Sequence, residues 1–248
     1  MQPITEPEMN GPPRIMRYVM TIDTETTGLL PKYDRKKGEY PSLEEYPYIT
    51  QLSFIIFDVI DLYVVYVYNT FIRIPPHIEI SEKVTEITGV TRELLDEKGI
   101  DIQEAICHLT DWFFRMDCIV AHNMHFDSKM IQTEVKRHYS KLLYNNQICI
   151  QLFNPTYCQA MQIELYCTMM SSKSFCDLKI ESKYGTVYQK FPKLSEFHEI
   201  LFGTVPENLH NSLVDTLVCL KCFMKYRLDR EIHTAKYRHM EKRIRQLL

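Results

Sequence analysis

The sequence predicts an α/β architecture in which helices flank a mixed central sheet. Three observations carry this. Two long runs rich in Ile, Val, Tyr and Phe lie side by side early in the chain, strand-like and helix-like segments alternate after them, and one late helical stretch is apolar around most of its circumference. A chain of 248 residues holds one large domain with a substantial core and is short for two.

The elements follow in order. Residues 1–13 are proline-rich with little apolar pattern, which predicts a flexible tail. Residues 15–22 form an apolar run that ends in acidic residues, as a buried strand ends at a site. Two further strands are expected at 49–59 and 62–74, with a turn at 58–61, so that the three make a meander. Residues 81–88 and 91–97 read as short helices separated by Gly89 and closed by Gly99, and 102–114 shows a helical apolar period. A short buried strand is expected at 117–121, followed by a helix at 126–138. Then come a strand at 163–167, a helix at 194–202 stopped by Gly203, a buried helix at 211–226 and a basic helix over 228–248. Two stretches receive no element: 30–48, which carries Pro31, Pro41 and Pro47 and reads as a flap near a site, and 139–162, which reads as irregular. Residues 179–190 read as a hairpin turning at Tyr184 and Gly185.

No basic-then-apolar signal and no stretch approaching the ~20 apolar residues of a membrane span is present. The expectation is an intracellular, soluble protein of cytoplasm or nucleus, neither secreted nor in a membrane. Its eight cysteines then read as reduced thiols packed as small hydrophobes. Cys149, Cys158, Cys167 and Cys176 recur every nine residues and Cys219 and Cys222 form a CxxC, which raises a zinc site. A zinc ribbon needs a second close pair, and the pair here lies in an apolar helical run, so the thiols are read as structural. Net charge is -3, but from Lys221 onward nine Lys and Arg face three acids, a balance of +6 that leaves -9 for the rest. Acids gathered around metal ions are one source of that deficit; the basic end suits phosphates, or is a solvated helix face.

Three clusters carry chemistry. In Asp23-Thr24-Glu25 the two-residue period of a strand puts both carboxylates on one face and Thr24 on the other. Hard divalent cations prefer oxygen ligands, and a pair of ions needs several carboxylates. An isolated Asp-x-Glu is common on solvent-facing strands, so the sequel matters: Thr26, Thr27 and Gly28 offer small donors and open backbone for a terminal hydroxyl, and Leu29 an apolar wedge for a base. The second cluster, His122 to Asp127, sits where a buried strand gives way to a helix, a favoured place for ligands in α/β sheets. Asp127 is there either a metal ligand or a helix N-terminal acid, and His122 either a substrate contact or a satisfied strand-end histidine. In the third, Asp215 lies among Leu213, Val214, Leu217 and Val218, where a carboxylate is costly to bury without a cation. His210, just before that helix, is placed to take a proton near neutral pH.

Taken together, DTETTGL at 23–29, HNMHFD at 122–127 and HNSLVD at 210–215 resemble the Exo I, Exo II and Exo III motifs of the DEDDh (DnaQ-like) 3′-to-5′ exonucleases, the family that includes the proofreading subunit of bacterial DNA polymerase III. The sister DEDDy group has a tyrosine four residues before the last aspartate; Asn211 holds that place here and His210 lies one earlier, as in the histidine subclass. ITGVT at 87–91 is similar to the family's I-x-G-I-T turn, with Thr88 where a histidine is frequent. The resemblance covers roughly residues 15–227.

It implies a ribonuclease H-like sheet and an exonuclease domain over 14–227. Asp23, Glu25, Asp127 and Asp215 would hold two Mg²⁺ or Mn²⁺ ions, with His210 as general base. Thr26, Thr27, Gly28 and Leu29 would grip the terminal nucleotide, and His122, Asn123 and Phe126 would support it. The implied partner is nucleic acid, DNA favoured over RNA, with a polymerase or repair protein in attendance and a homodimer open. Two rivals stand beside this: an RNA exonuclease of the same fold, and a non-catalytic nucleic-acid-binding or polymerase-tethering module, against which the five side chains argue.

Overall fold

A computed structural model describes residues 15–32, 41–232 and 242. The expected tail over 1–13 lies outside these residues, as does most of the expected basic helix.

β1 (Tyr18–Thr26), β2 (Ile49–Asp58) and β3 (Tyr63–Phe71) form the predicted antiparallel meander. After α1 (Glu82–Thr88), α2 (Arg92–Lys98) and α3 (Ile102–Phe113) the chain returns as β4 (Cys118–Ala121). α4 (Met124–Arg137), α5 (Tyr139–Asn145) and α6 (Pro155–Ala160) lead to β5 (Glu164–Cys167). The sheet runs β3-β2-β1-β4-β5, and β4 and β5 are parallel to β1, so the mixed sheet is as expected and β1 is its centre. α7 (Thr168–Cys176), a hairpin of β6 (Lys179–Glu181) and β7 (Val187–Gln189), α8 (Leu194–Phe202) and α9 (Ser212–Leu228) complete the chain.

Local chemistry sets the helix ends. Ser81, Thr91 and Asp101 accept backbone N–H bonds from Val84, Leu94 and Gln103 at the starts of α1, α2 and α3. Gly89 closes α1 at φ 72°, a left-handed turn that favours glycine.

The alternation of β1 sorts its residues between two cores. Met20 and Ile22 pack with Phe54 and Ile56 of β2 beneath α3 and α4; Val19 packs with Ile55, Phe57 and Val120 beneath α9. Full burial of each such side chain stabilises the fold by about 1.5–3 kcal/mol. Consequently, the two carboxylates of β1 fall on the α9 side and Thr24 on the α4 side.

Several expectations are corrected. Residues 139–162 hold α5, a 3₁₀ turn at Gln147–Gln151 and α6, in place of an irregular segment. α7 was not foreseen: its mixture of Ser, Met and Lys lacks a clean apolar stripe. α4 starts two residues earlier than expected because Asn123 turns the chain in the left-handed conformation (φ 84°), which Asn tolerates. α9 runs two residues further, to Leu228, and Asp229 (φ 48°) ends it; residues 229–232 are irregular, and of the basic helix beyond them only Lys242, which is helical, is described. Among the described residues no helix is long and apolar enough to cross a membrane. All eight thiols are unlinked.

Candidate active site

The site forms at the carboxyl end of β1. Asp23 and Glu25 pair across β2 with Ser53 and Gln51, and the register shifts immediately after, between Glu25 and Thr26, where β2 carries the extra residue Thr50. Such an irregularity turns the end of a strand away from its neighbour. From the α9 side the helix is fastened to this spot: Ser212 Oγ donates to the Asp23 carbonyl at 3.0 Å and the Ser212 N–H to Gln51 Oε1 at 3.4 Å. Asn211 caps the helix by accepting from the N–H groups of Leu213 and Val214. One turn in, Asp215 is thereby delivered to β1. Carboxylate oxygens of Asp23, Glu25 and Asp215 all lie within 4.8 Å of one another, the only such grouping of His, Cys, Asp and Glu among the described residues.

Asp127 belongs to the opposite side. It is 2% exposed, in the first turn of α4, and its Oδ1 accepts from both the N–H (3.0 Å) and the hydroxyl (2.9 Å) of Thr24. It stands outside the 4.8 Å grouping, yet its charge reaches Asp23 and Glu25 and raises both. The four acids therefore converge on one strand end from two layers.

The electrostatics are those of crowded, buried carboxylates. Burial, then Asp127, Asp215 and Glu25, push Asp23 well above the usual carboxylate range. Burial and then Asp215 and Asp127 lift Glu25 to about 8. Burial raises Asp127 to about 7 against the pull of its Thr24 bonds, and raises Asp215 to about 7 against the N–H of His210. Asp215 Oδ1 is buried without a hydrogen-bond partner, and among the described residues no lysine or arginine pairs with any of the four acids. Repelling carboxylates with an unpartnered oxygen fit a divalent cation with oxygen ligands.

His210 is exposed, has φ 70°, and donates its backbone N–H to Asp215 Oδ2 at 3.2 Å. The left-handed backbone at His210 brings its N–H onto the Asp215 carboxylate at the start of α9. Thr26 Oγ1 donates to the Gly28 carbonyl at 2.6 Å. Thr27 exchanges two bonds with Tyr48: its N–H donates to the Tyr48 carbonyl at 2.9 Å and its Oγ1 accepts from the Tyr48 N–H at 3.0 Å. Leu29 is 86% exposed. A Cβ added at Gly28 would meet nothing within 4 Å, so the room expected there does not depend on glycine in the free protein.

His122 has both ring nitrogens engaged within the protein. Its Nε2 lies 3.0 Å from the Pro192 carbonyl and its Nδ1 2.9 Å from Thr168 Oγ1. A carbonyl only accepts, so the proton is on Nε2 and Nδ1 accepts from the threonine hydroxyl. Burial holds this imidazole down at about 4, hence neutral. Both ring nitrogens are engaged in joining β4 to α7 and to the approach to α8. Asn123 makes the left-handed turn into α4, and Phe126 packs against the core under that helix.

Sequence reasoning missed Thr24, Ser212 and Arg137. Arg137, at the end of α4, pairs with buried Glu134 at 2.7 Å, donates to the carbonyls of Leu43 (3.1 Å), Tyr46 (2.5 Å) and Pro47 (2.8 Å), and lies 3.8 Å from the centre of the Tyr48 ring. Residues 41–48 of the expected flap are thus pinned to α4; residues 33–40 lie outside the described set. An i,i+3 Glu-x-x-Arg in α4 was the visible signal.

Comparison with known proteins identifies the family and the fold. The family model described as exonuclease (RNase T) matches residues 20–223. The PolC-type DNA polymerase III of Thermotoga petrophila is 31% identical over 118 residues, 48% of this chain and 7% of that protein. Escherichia coli Exonuclease I in complex with a dT13 oligonucleotide superposes with a TM-score of 0.57 at 15% identity, over 86% of this chain and 42% of that one. A 3′-exonuclease that recognises the 3′ end of the histone mRNA stem-loop gives 0.54 at 13%, over 87% and 84%. The chain spans less than half of Exonuclease I and a small part of the polymerase. The family match, extending over most of the sequence and containing all three acidic motifs, places this chain among the DnaQ-like exonucleases of the RNase T family.

Proposed function

We propose that the protein is a metal-dependent 3′-to-5′ exonuclease that hydrolyses the terminal phosphodiester of DNA and releases nucleoside 5′-monophosphates. The observation that carries this is the meeting of Asp23, Glu25 and Asp215 within 4.8 Å, with Asp127 beside them and no protein cation among the described residues to balance them.

Asp23, Glu25, Asp215 and Asp127 would hold two Mg²⁺ or Mn²⁺ ions. When bound, such ions acidify a water and neutralise charge on the departing 3′ oxygen. His210 accepts the proton of the attacking water, its backbone tied to Asp215 so that base and ligand move as one. Thr26 and Thr27 present polar groups to the terminal ribose, Leu29 supports the base, and Asn123 and Phe126 shape the wall behind Asp127. His122 contributes by fixing that wall. DNA is favoured because a relative is a DNA polymerase III and a structural neighbour holds dT13; the polymerase likeness also suggests a polymerase or repair protein as partner, and a homodimer stays open.

The test is digestion of 5′-labelled single-stranded DNA, mismatched duplex and RNA, by wild type and Asp23→Ala, in Mg²⁺ and in EDTA. A descending ladder from DNA that needs Mg²⁺ and Asp23 supports the reading. Faster loss of RNA than of DNA gives the substrate to RNA. Cleavage in EDTA, or cleavage by Asp23→Ala at the wild-type rate, overturns the mechanism.

A further inference from the structure

Beyond the carboxylate site, one surface combines positive charge with exposed rings. Residues 170–193, which span α7 and the β6–β7 hairpin, contain five lysines against two acids in a chain whose net charge is -3. Tyr184 is 82% exposed, Tyr188 50% and Phe191 42%. Large rings left this open lose the stabilisation of burial, and here they are interleaved with cations. Lys173 Nζ lies 4.3 Å from the centre of the Phe191 ring, and Lys183 Nζ 4.9 Å from that of Tyr184. A ring flanked by an ammonium group offers a base a flat surface and its phosphate a charge.

The segment that carries these rings is tied to the frame of the site. β1, β4 and β5 are parallel, so α7, which follows β5, starts at the same end of the sheet as Asp23 and Asp127. Two strand spacings separate β1 from β5, about 10 Å. At the other end of the segment the Pro192 carbonyl, one residue after Phe191, accepts from His122 Nε2 at 3.0 Å, and His122 lies directly between β4 and the Asp127 helix. The hairpin is thereby anchored to the wall of the carboxylate site.

We propose that α7 and the β6–β7 hairpin form a second strand-binding surface, which holds the single-stranded nucleic acid leading into the carboxylate site by stacking bases on Tyr184, Tyr188 and Phe191 and meeting phosphates with Lys173 and Lys183. This rests on the exonuclease reading for its orientation, not for its binding chemistry. Stacking on rings tolerates any base, so the surface confers grip without sequence preference. It also accounts for an overall acidic chain acting on a polyanion: charge is concentrated where the strand runs.

The experiment is a fluorescence-anisotropy titration of a labelled 20-nucleotide single strand with the full chain in EDTA, where no turnover occurs, repeated over a range of salt. Tyr184→Ala/Tyr188→Ala is expected to raise Kd by ~100-fold, the scale of two lost base stacks, with the salt dependence unchanged. Tyr184→Phe/Tyr188→Phe keeps the rings and the affinity. Lys173→Gln/Lys183→Gln raises Kd and flattens the slope of log K on log salt by about 1.4, two single-strand phosphate contacts. Unchanged affinity in the alanine pair, or equal loss in the phenylalanine pair, overturns the proposal. So does a change of sedimentation without a change in strand affinity, which makes the surface a protein contact. A wild type that binds in this pattern but hydrolyses nothing sinks the exonuclease reading alone.

Discussion

Thr24 holds Asp127 with two bonds to a single carboxylate oxygen, from its N–H at 3.0 Å and its hydroxyl at 2.9 Å. Strand alternation sends Asp23 and Glu25 to one face of β1 and Thr24 to the other, so the residue between the two acids holds the third one on the opposite face. One tripeptide thus organises both halves of the site.

Thr24→Val keeps the shape and the backbone bond but removes the hydroxyl from a buried carboxylate. The expected result is a loss of about 1–3 kcal/mol of stability and a fall in kcat larger than any rise in KM, with both restored by Thr24→Ser. Denaturant unfolding and steady-state kinetics on a short oligonucleotide check it; wild-type behaviour of the valine variant would show that Asp127 needs no such support.

Legibility in the sequence followed periodicity. Asp-x-Glu at strand spacing was enough to put Asp23 and Glu25 together, and an acid among Leu213, Val214, Leu217 and Val218 was enough to mark Asp215 as a costly carboxylate, whose Oδ1 is buried without a hydrogen-bond partner. The meander and the later parallel strands followed from their β-branched and aromatic runs. What escaped were relations across elements. That Asp127 is held by Thr24, or that both nitrogens of His122 are taken by Thr168 and Pro192, depends on residues 103, 46 and 70 positions apart, to which no local pattern points. α5, α6 and α7 were missed because they are short and weakly striped, and tertiary packing decides such segments.

Burial of the four acids, with their mutual repulsion second, sets how stability depends on pH. Glu25 titrates at about 8, and Asp127 and Asp215 at about 7, each above its unfolded value near 4. Between those limits the folded protein binds more protons than the unfolded chain, so stability falls as pH rises, and Asp23, also raised, adds to the fall. His122, held down at about 4, acts oppositely below about 6.5, where protonation favours unfolding, and offsets part of the trend. In EDTA the denaturant midpoint is therefore expected to be lower at pH 8.5 than at 5.5. An equal or higher midpoint at 8.5 contradicts the electrostatic picture.

Removing one charge tests the same repulsion from another side. Asp215→Asn retains an acceptor for the His210 N–H and relieves the like-charge crowding. Metal-free stability at pH 8 is expected to rise by about 1–2 kcal/mol while hydrolysis is lost. A variant less stable than wild type in EDTA would mean that Asp215 is a structural acid.

Arg137 makes the fourth prediction. Its buried pair with Glu134 and its three carbonyl bonds hold residues 43–48, and through Tyr48 they hold Thr27. Arg137→Ala strands the Glu134 charge and is expected to cost about 3–5 kcal/mol, with Arg137→Met/Glu134→Gln milder than the single change. Arg137→Lys, which cannot reproduce the fork, should raise KM more than it lowers kcat. Equal KM for the lysine variant and wild type would disconnect this clamp from the nucleotide-binding segment.

The most direct test of the central claim is a titration of the full chain with Mn²⁺ at pH 8, counting bound ions by the loss of the free-ion paramagnetic signal. The account predicts two ions for wild type and a collapse of binding in Asp23→Asn/Asp215→Asn. The same number of ions bound with the same affinity by that double variant would show that the meeting of these carboxylates serves something other than metal.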